Sequence, residues 1–205
     1  MYNTEKEKGK NMKIGIFTKK GGAGKSTIAV SLYDYFKDYI VVSNDNAGKF
    51  DNFDFYHKGI DIRNVTHNGV IAYDFGGYEA PEILDIIQEC DIVIIPTLND
   101  DPSYLQELVE ATDEIKEVNN NIIFVINASD SSTLAQAVIE DRFKDEYPYI
   151  SIRQSKGFKN GVWTGTTITQ LQKEGGRLGY VYQNVVKDVE SLAKLIKIMT
   201  GVNDG

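Results

Sequence analysis

Short apolar runs alternate with longer amphipathic stretches along this chain. The runs are KIGIF (13–17), YIVVS (39–43), GVIAYDF (69–75), CDIVIIPT (90–97), NIIFVIN (121–127) and YISIR (149–153). Their near-continuous Val, Ile and Phe content is that of strands covered on both faces. Between them, helical periodicity predicts helices over 25–37, 80–89, 102–118 and 132–146, and a closing helix over about 183–199. Ser103 and Ser131 or Ser132 are candidate N-caps. The segment IDIRNV (60–65) reads as a further short strand at an edge, and the Gly-, Thr- and Lys-rich 155–180 stretch as a long, partly ordered loop. Strand and helix in alternation predict an α/β fold, a mostly parallel sheet with helices on both faces. With no internal repeat and no linker, the expectation is one domain over 12–205, preceded by a flexible, charged arm over 1–11.

Composition narrows this picture at three points. No apolar run approaches the ~20 residues that span a bilayer, and the opening MYNTEKEKGKN lacks the apolar region of a secretory signal. Cys90 is the sole cysteine, which excludes an intrachain disulfide and a cysteine-rich metal site. The net charge of −8 is unevenly spread. Residues 1–63 carry 11 Lys/Arg against 8 Asp/Glu, residues 64–146 carry 3 against 18, and residues 147–197 carry 8 against 3. An acidic middle between two basic ends makes a polarised surface, so the total alone does not exclude an anionic partner.

The most informative segment is Thr18-Lys19-Lys20-Gly21-Gly22-Ala23-Gly24-Lys25-Ser26-Thr27. It follows a predicted buried strand and opens a predicted helix, the setting of a phosphate loop. Three glycines allow the chain to turn sharply, so that backbone N–H groups converge on a polyphosphate. The N-terminus of the helix adds partial positive charge. Lys25 is placed to reach the β- and γ-phosphates, and the hydroxyl of Ser26 to ligate Mg²⁺. The predicted fold class is therefore α/β of the P-loop NTPase type.

Lys19 stands where the usual phosphate loop begins with glycine, and the segment reads KGGxGK(S/T) with a second lysine, Lys20, at its start. In this it resembles the deviant Walker A ATPases, the family of ParA and MinD. The resemblance implies ATP and Mg²⁺ as cofactors, and ATPase activity. It also implies a homodimer formed on ATP binding, in which Lys20 reaches the partner's nucleotide. Gly21, Gly22, Ala23, Gly24, Lys25, Ser26 and Thr27 then hold the nucleotide.

Asp74, which ends an apolar run, is similar to the Walker B aspartate of that family and joins Ser26 as a metal residue. Gly76-Gly77 behind it resemble a hinge that senses the γ-phosphate. Asn127 matches a position that contacts adenine, an amide being both donor and acceptor; the alternative is that it turns or caps the chain. After the second strand the family shows two aspartates, and the natural alignment puts Asn44 and Asn46 on them. Asn46 is then the residue that orients the attacking water. An asparagine cannot accept a proton, so the expectation is slow hydrolysis. Shifting by one residue would bring in Asp45, but strand alternation would turn it to the opposite face.

The resemblance is closest to ParA-type DNA-partition ATPases. It implies nonspecific DNA as a partner, a ParB-type adaptor, and a cytoplasmic, nucleoid-associated location. Arg153, Lys156, Lys159, Lys173 and Arg177, with Lys187, Lys194 and Lys197, are the candidate DNA contacts; the alternative is a set of scattered, solvated charges. The competing function is a MinD-like membrane-associated ATPase. It needs an amphipathic anchor, and the polar ending TGVNDG does not supply one. Iron–sulfur relatives need two cysteines per subunit and are excluded.

Overall fold

The computed structural model describes residues 11–46, 49–76, 81–98, 102–129, 134–143 and 146–202. The strands are β1 (Met12–Ile16), β2 (Tyr39–Ser43), β3 (Tyr56–Lys58), β4 (Val70–Asp74), β5 (Ile92–Leu98), β6 (Ile122–Ser129) and β7 (Tyr149–Arg153). The helices are α1 (Lys25–Ser31), α2 (Pro81–Gln88), α3 (Pro102–Ile115), α4 (Leu134–Arg142), α5 (Lys156–Thr164), α6 (Ile168–Lys173) and α7 (Gly176–Thr200). The strands form one sheet in the order β3-β2-β4-β1-β5-β6-β7, and every strand pair is parallel.

Alternation along each strand divides the core into two layers. Ile14, Ile16, Ala72, Ile92, Ile94, Ile123 and Val125 point to one face, under α1, α5, α6 and the Val185, Val189, Leu192 and Ile196 stripe of α7. Ile71, Tyr73, Val93, Ile95, Phe124 and Ile126 point to the other, under α2, α3 and α4. With both faces covered, strands need apolar residues at successive positions, which is the pattern that the sequence showed.

The sheet order positions the site. After β1 the chain moves to one side through β2 and β3, returns to β4, and crosses β1 to build β5, β6 and β7 on the other side. At that reversal the connections leaving the carboxyl ends part, opening the crevice in which such sheets bind ligands.

Four expectations are corrected. The 60–65 segment is not a strand: Ile62–Asn64 form a 3₁₀ turn, capped by the Asp61 carboxylate, which accepts from the Arg63 N–H at 3.2 Å. The edge strand lies earlier, at Tyr56–Lys58. The 155–180 stretch is helical rather than a loop. Ser155 caps α5, Thr167 and Gln170 form a reciprocal capping box at α6, and α7 begins at Gly176 instead of 183. Its glycines serve packing: a Cβ on Gly157 would lie 2.1 Å from Ile168 Cδ1, and one on Gly161 would lie 2.3 Å from the Thr166 carbonyl oxygen. The helix predicted over 25–37 stops at Ser31 and passes into a 3₁₀ turn at Tyr33–Tyr35. Ser103 lies inside the first turn of α3 instead of capping it. Ser131, Ser132, Gly77 and residues 1–10 lie outside the described residues.

Candidate functional site

β1 delivers the chain at residue 17 to the carboxyl edge of the sheet, and α1 resumes at Lys25. The loop between them turns through Gly22 at φ +88° and Gly24 at φ +92°. These are left-handed conformations that a side chain disfavours. A Cβ on Gly21 would meet nothing within 4 Å and one on Gly22 only the Tyr104 hydroxyl, so the outer wall of the loop is open to a ligand. Its inner wall is closed. A Cβ on Gly24 would fall 1.9 Å from Asn127 Nδ2, and Ala23 is fully buried.

Lys25 is buried at 8% exposure. Its ammonium donates to the carbonyls of Thr18 at 3.2 Å and Lys20 at 3.4 Å, so the loop wraps around its own cation. Burial lowers the Lys25 pKa, while the carboxylates of Asp74 and Asp45 act against that shift.

Asp74 stands at the end of β4 in register with Ile16 of β1. It is 3% exposed and takes three kinds of support. Burial raises its pKa; hydrogen bonds from Ser26 and Tyr56 and the nearby Lys25 charge lower it, and Asp45 raises it again. The Tyr56 hydroxyl donates to Asp74 Oδ2 at 2.5 Å. Tyr56 also shares hydrogen bonds with Ser26 and Ser43, and burial, together with the Asp74 charge, holds its phenol well above its ordinary pKa. No motif in the sequence singles out Tyr56. Nothing in the linear order relates it to Asp74, because the two meet across β2.

Ser26 and Asp74 are hard oxygen donors that converge at the carboxyl edge of the sheet, with hydroxyl and carboxylate already within hydrogen-bonding distance of each other. That donor set suits Mg²⁺, which binds through one or two protein oxygens and keeps the rest of its shell for water and phosphate. Beside it lies the open side of Gly21 and Gly22, where an added Cβ would meet nothing or only the Tyr104 hydroxyl. The residues present fit both groups.

The segment after β2 departs from the alignment made on sequence. β2 ends at Ser43, whose hydroxyl accepts from the Asp45 N–H at 3.2 Å and turns the chain. Strand alternation therefore does not govern Asn44, Asp45 and Asn46. Asn44 Oδ1 accepts from the Gly76 N–H at 2.7 Å. The Cβ of Asp45 faces Gly76, where a Cβ would lie 3.1 Å away, and its charge acts on Lys25 and Asp74. Asn46 instead fits against Gly59, where a Cβ would come within 1.9 Å of its Oδ1. The carboxylate beside the site is Asp45, and Asn46 packs away from it.

Asn127 is also differently engaged. Its Nδ2 donates to the Ala23 carbonyl at 3.0 Å and its Oδ1 accepts from the Ala128 N–H at 3.0 Å. Ala128 sits at φ +54°. At 9% exposure, the amide braces the phosphate loop and turns the chain.

Lys20 leans on the first turn of α3. Its ammonium donates to the Ser103 hydroxyl and lies 4.2 Å from the centroid of the Tyr104 ring. Tyr104 in turn donates to the Gly21 carbonyl at 3.0 Å. Lys19 pairs with Glu114 at 3.0 Å.

Of the basic candidates, Arg153 is committed to Asp188 through two hydrogen bonds of 2.7 and 3.0 Å. Such a bidentate pair leaves its guanidinium poorly placed for a phosphate. Lys156 and Lys159 on α5, Lys173 on α6 and Arg177 on α7 are exposed. Lys194 pairs with Glu190, and Lys197 covers the Phe36 ring at 5.2 Å.

No family model matches this sequence, and no curated protein matches it. Solved structures do. A variant of McdA from Cyanothece in complex with ATP is 12% identical at TM-score 0.65, covering 96% of this chain and 99% of that one. MinD from Pyrococcus horikoshii with Mg-ADP is 14% identical at TM-score 0.61, covering 93% and 99%. A ParA family ATPase from Chlorobium tepidum is 13% identical at TM-score 0.64, covering 89% and 98%. At such identities the likeness speaks for the fold, and this chain has the P-loop NTPase fold of the MinD and ParA ATPases.

Proposed function

We propose that this chain is a ParA-like ATPase, a dimer switch set by ATP that moves or positions DNA cargo. The observation that carries the proposal is the convergence of an open, glycine-lined phosphate loop, a buried ammonium, and the Ser26–Asp74 oxygen pair at the reversal point of the sheet. Neighbouring structures of the same fold hold ATP or Mg-ADP, which supports ATP and Mg²⁺ as the ligands here.

The backbone N–H groups of Gly21 to Lys25 bind phosphate oxygens, and Lys25 neutralises the charge that they carry. Ser26 and Asp74 would hold Mg²⁺, which when bound would supply further positive charge to offset that of the phosphates. Lys20 leaves Ser103 and Tyr104 to reach the nucleotide of a second copy. Asp45 is the group that orients water, and turnover is slow because the adjoining Asn44, bonded to the Gly76 N–H, adds no second carboxylate there. Asp45→Asn is expected to lower single-turnover hydrolysis about tenfold or more with ATP affinity unchanged; an equal rate would assign the water to another residue.

DNA contact falls to Lys156, Lys159, Lys173 and Arg177, whose helices follow one another on one layer of the sheet. The deciding experiment measures DNA binding with ATP, ADP and no nucleotide across a salt series, for wild type and Lys20→Ala. The expected result is ATP-dependent binding that falls steeply with salt and disappears in the variant. ATP-dependent association with anionic liposomes, without DNA binding, would replace this reading by a membrane-positioning one.

A further inference from the structure

Tyr56 is the polar group of the site that the phosphate-loop chemistry does not use. It sits on the short edge strand β3, opposite Val41 of β2. Ser43 of β2 is opposite Asp74 of β4. Residues two apart on a strand share a face, so Val41 and Ser43 point the same way, toward the layer that holds α1. From β3 the Tyr56 side chain crosses β2 and ends on Asp74 Oδ2, with Ser43 and Ser26 as further partners. Its ring is stacked on Phe50, centroids 5.2 Å apart, and the residue is 8% exposed. A phenol held at both ends in this way has little freedom to leave.

We propose that Tyr56 is a positioning residue for the cation: its hydroxyl fixes the rotation of the Asp74 carboxylate and the direction of the Ser26 hydroxyl, presenting both to Mg²⁺. The inference rests on the reading of Ser26 and Asp74 as the Mg²⁺ pair and extends it to a third residue. A carboxylate has two oxygens, and a donor on one fixes the plane in which the other is offered. Partners of this kind behind a metal ligand change metal affinity by about 10- to 100-fold when removed. The same contact makes edge strand β3 part of the site, for without Tyr56 nothing polar on that strand reaches Asp74 among the described contacts.

The test is a calorimetric titration of ADP at a series of Mg²⁺ concentrations and in EDTA, for wild type, Tyr56→Phe and Phe50→Leu. Tyr56→Phe keeps the ring and removes the hydroxyl. It is expected to raise the Mg²⁺ midpoint about tenfold or more and to leave ADP affinity in EDTA unchanged, which also shows that it folds. Phe50→Leu alters only packing and is expected to lower thermal stability with the Mg²⁺ midpoint kept. A Tyr56→Phe midpoint equal to that of wild type overturns the proposal. Wild-type protein that binds ADP without any response to Mg²⁺ overturns the underlying reading instead. A second measurement needs no variant. With tyrosine labelled at Cζ, adding Mg²⁺ to the ADP complex is expected to shift a buried tyrosine resonance, and unchanged tyrosine spectra would equally count against the role.

Discussion

Lys25→Met is expected to abolish nucleotide binding while leaving the protein as stable as wild type, or more so. The two halves of the result come from one fact. The Lys25 ammonium is buried and, among the described residues, hydrogen-bonded to carbonyl oxygens, and burial lowers its pKa in spite of Asp74 and Asp45 nearby. A lowered pKa means that folding disfavours the charged form. Below the lowered pKa the folded protein carries that cost in full, and the cost fades as pH rises from there to the ordinary lysine value. Methionine keeps the length and much of the volume of lysine and removes the charge, which relieves the cost. Binding changes in the opposite direction. Charge-assisted hydrogen bonds are worth about 1.5–3 kcal/mol each, so losing two on a polyphosphate weakens affinity by roughly 100-fold or more. Thermal denaturation and ATP titration of the same preparation check both halves. Affinity within a few-fold of wild type would place the phosphates elsewhere.

The second large effect is expected at Gly24. Alanine there takes on a left-handed backbone, at about 1–2 kcal/mol, and its Cβ would sit 1.9 Å from Asn127 Nδ2. The amide cannot swing aside without giving up its bonds to Ala23 and Ala128. Gly24→Ala is therefore expected to lose about 3 kcal/mol of stability or more, together with measurable nucleotide binding. Gly21→Ala, with open space at its Cβ, is expected to unfold at the wild-type denaturant midpoint. Combining Gly24→Ala with Asn127→Ala removes the clash but not the backbone cost, so the double variant should regain part of the stability lost by Gly24→Ala alone. A double variant no better than the single one would show that the amide contact is not what excludes a side chain at Gly24.

These contacts show where linear reading stops. The phosphate loop was legible because its chemistry is local: the run from Lys20 to Ser26, passing from loop into helix, carries the turn, the amides, the ammonium and the hydroxyl. Asp74 was legible as an acid at the end of an apolar strand. Asp45 was missed because the alternation rule was extended past Ser43, where the strand has already ended. For Asn127 the sequence left open a base contact or a chain turn, and only the fold brings its amide to the Ala23 carbonyl. The 155–180 glycines suggested a loop, yet Gly157 and Gly161 are small because Ile168 and Thr166 lie against them.

The sequence by itself determined the parallel α/β architecture, through strands apolar on both faces, and the phosphate-binding chemistry, through a short motif whose parts are neighbours along the chain. Tertiary structure alone decided which residues complete the site. Tyr56, Ser43 and Asp74 come from three different strands, and Lys20 and Tyr104 from elements 83 or more residues apart. Such pairs are fixed by the order of strands and the direction in which each side chain leaves the sheet. Sheet order depends on how the whole core packs, and no spacing along the chain encodes it.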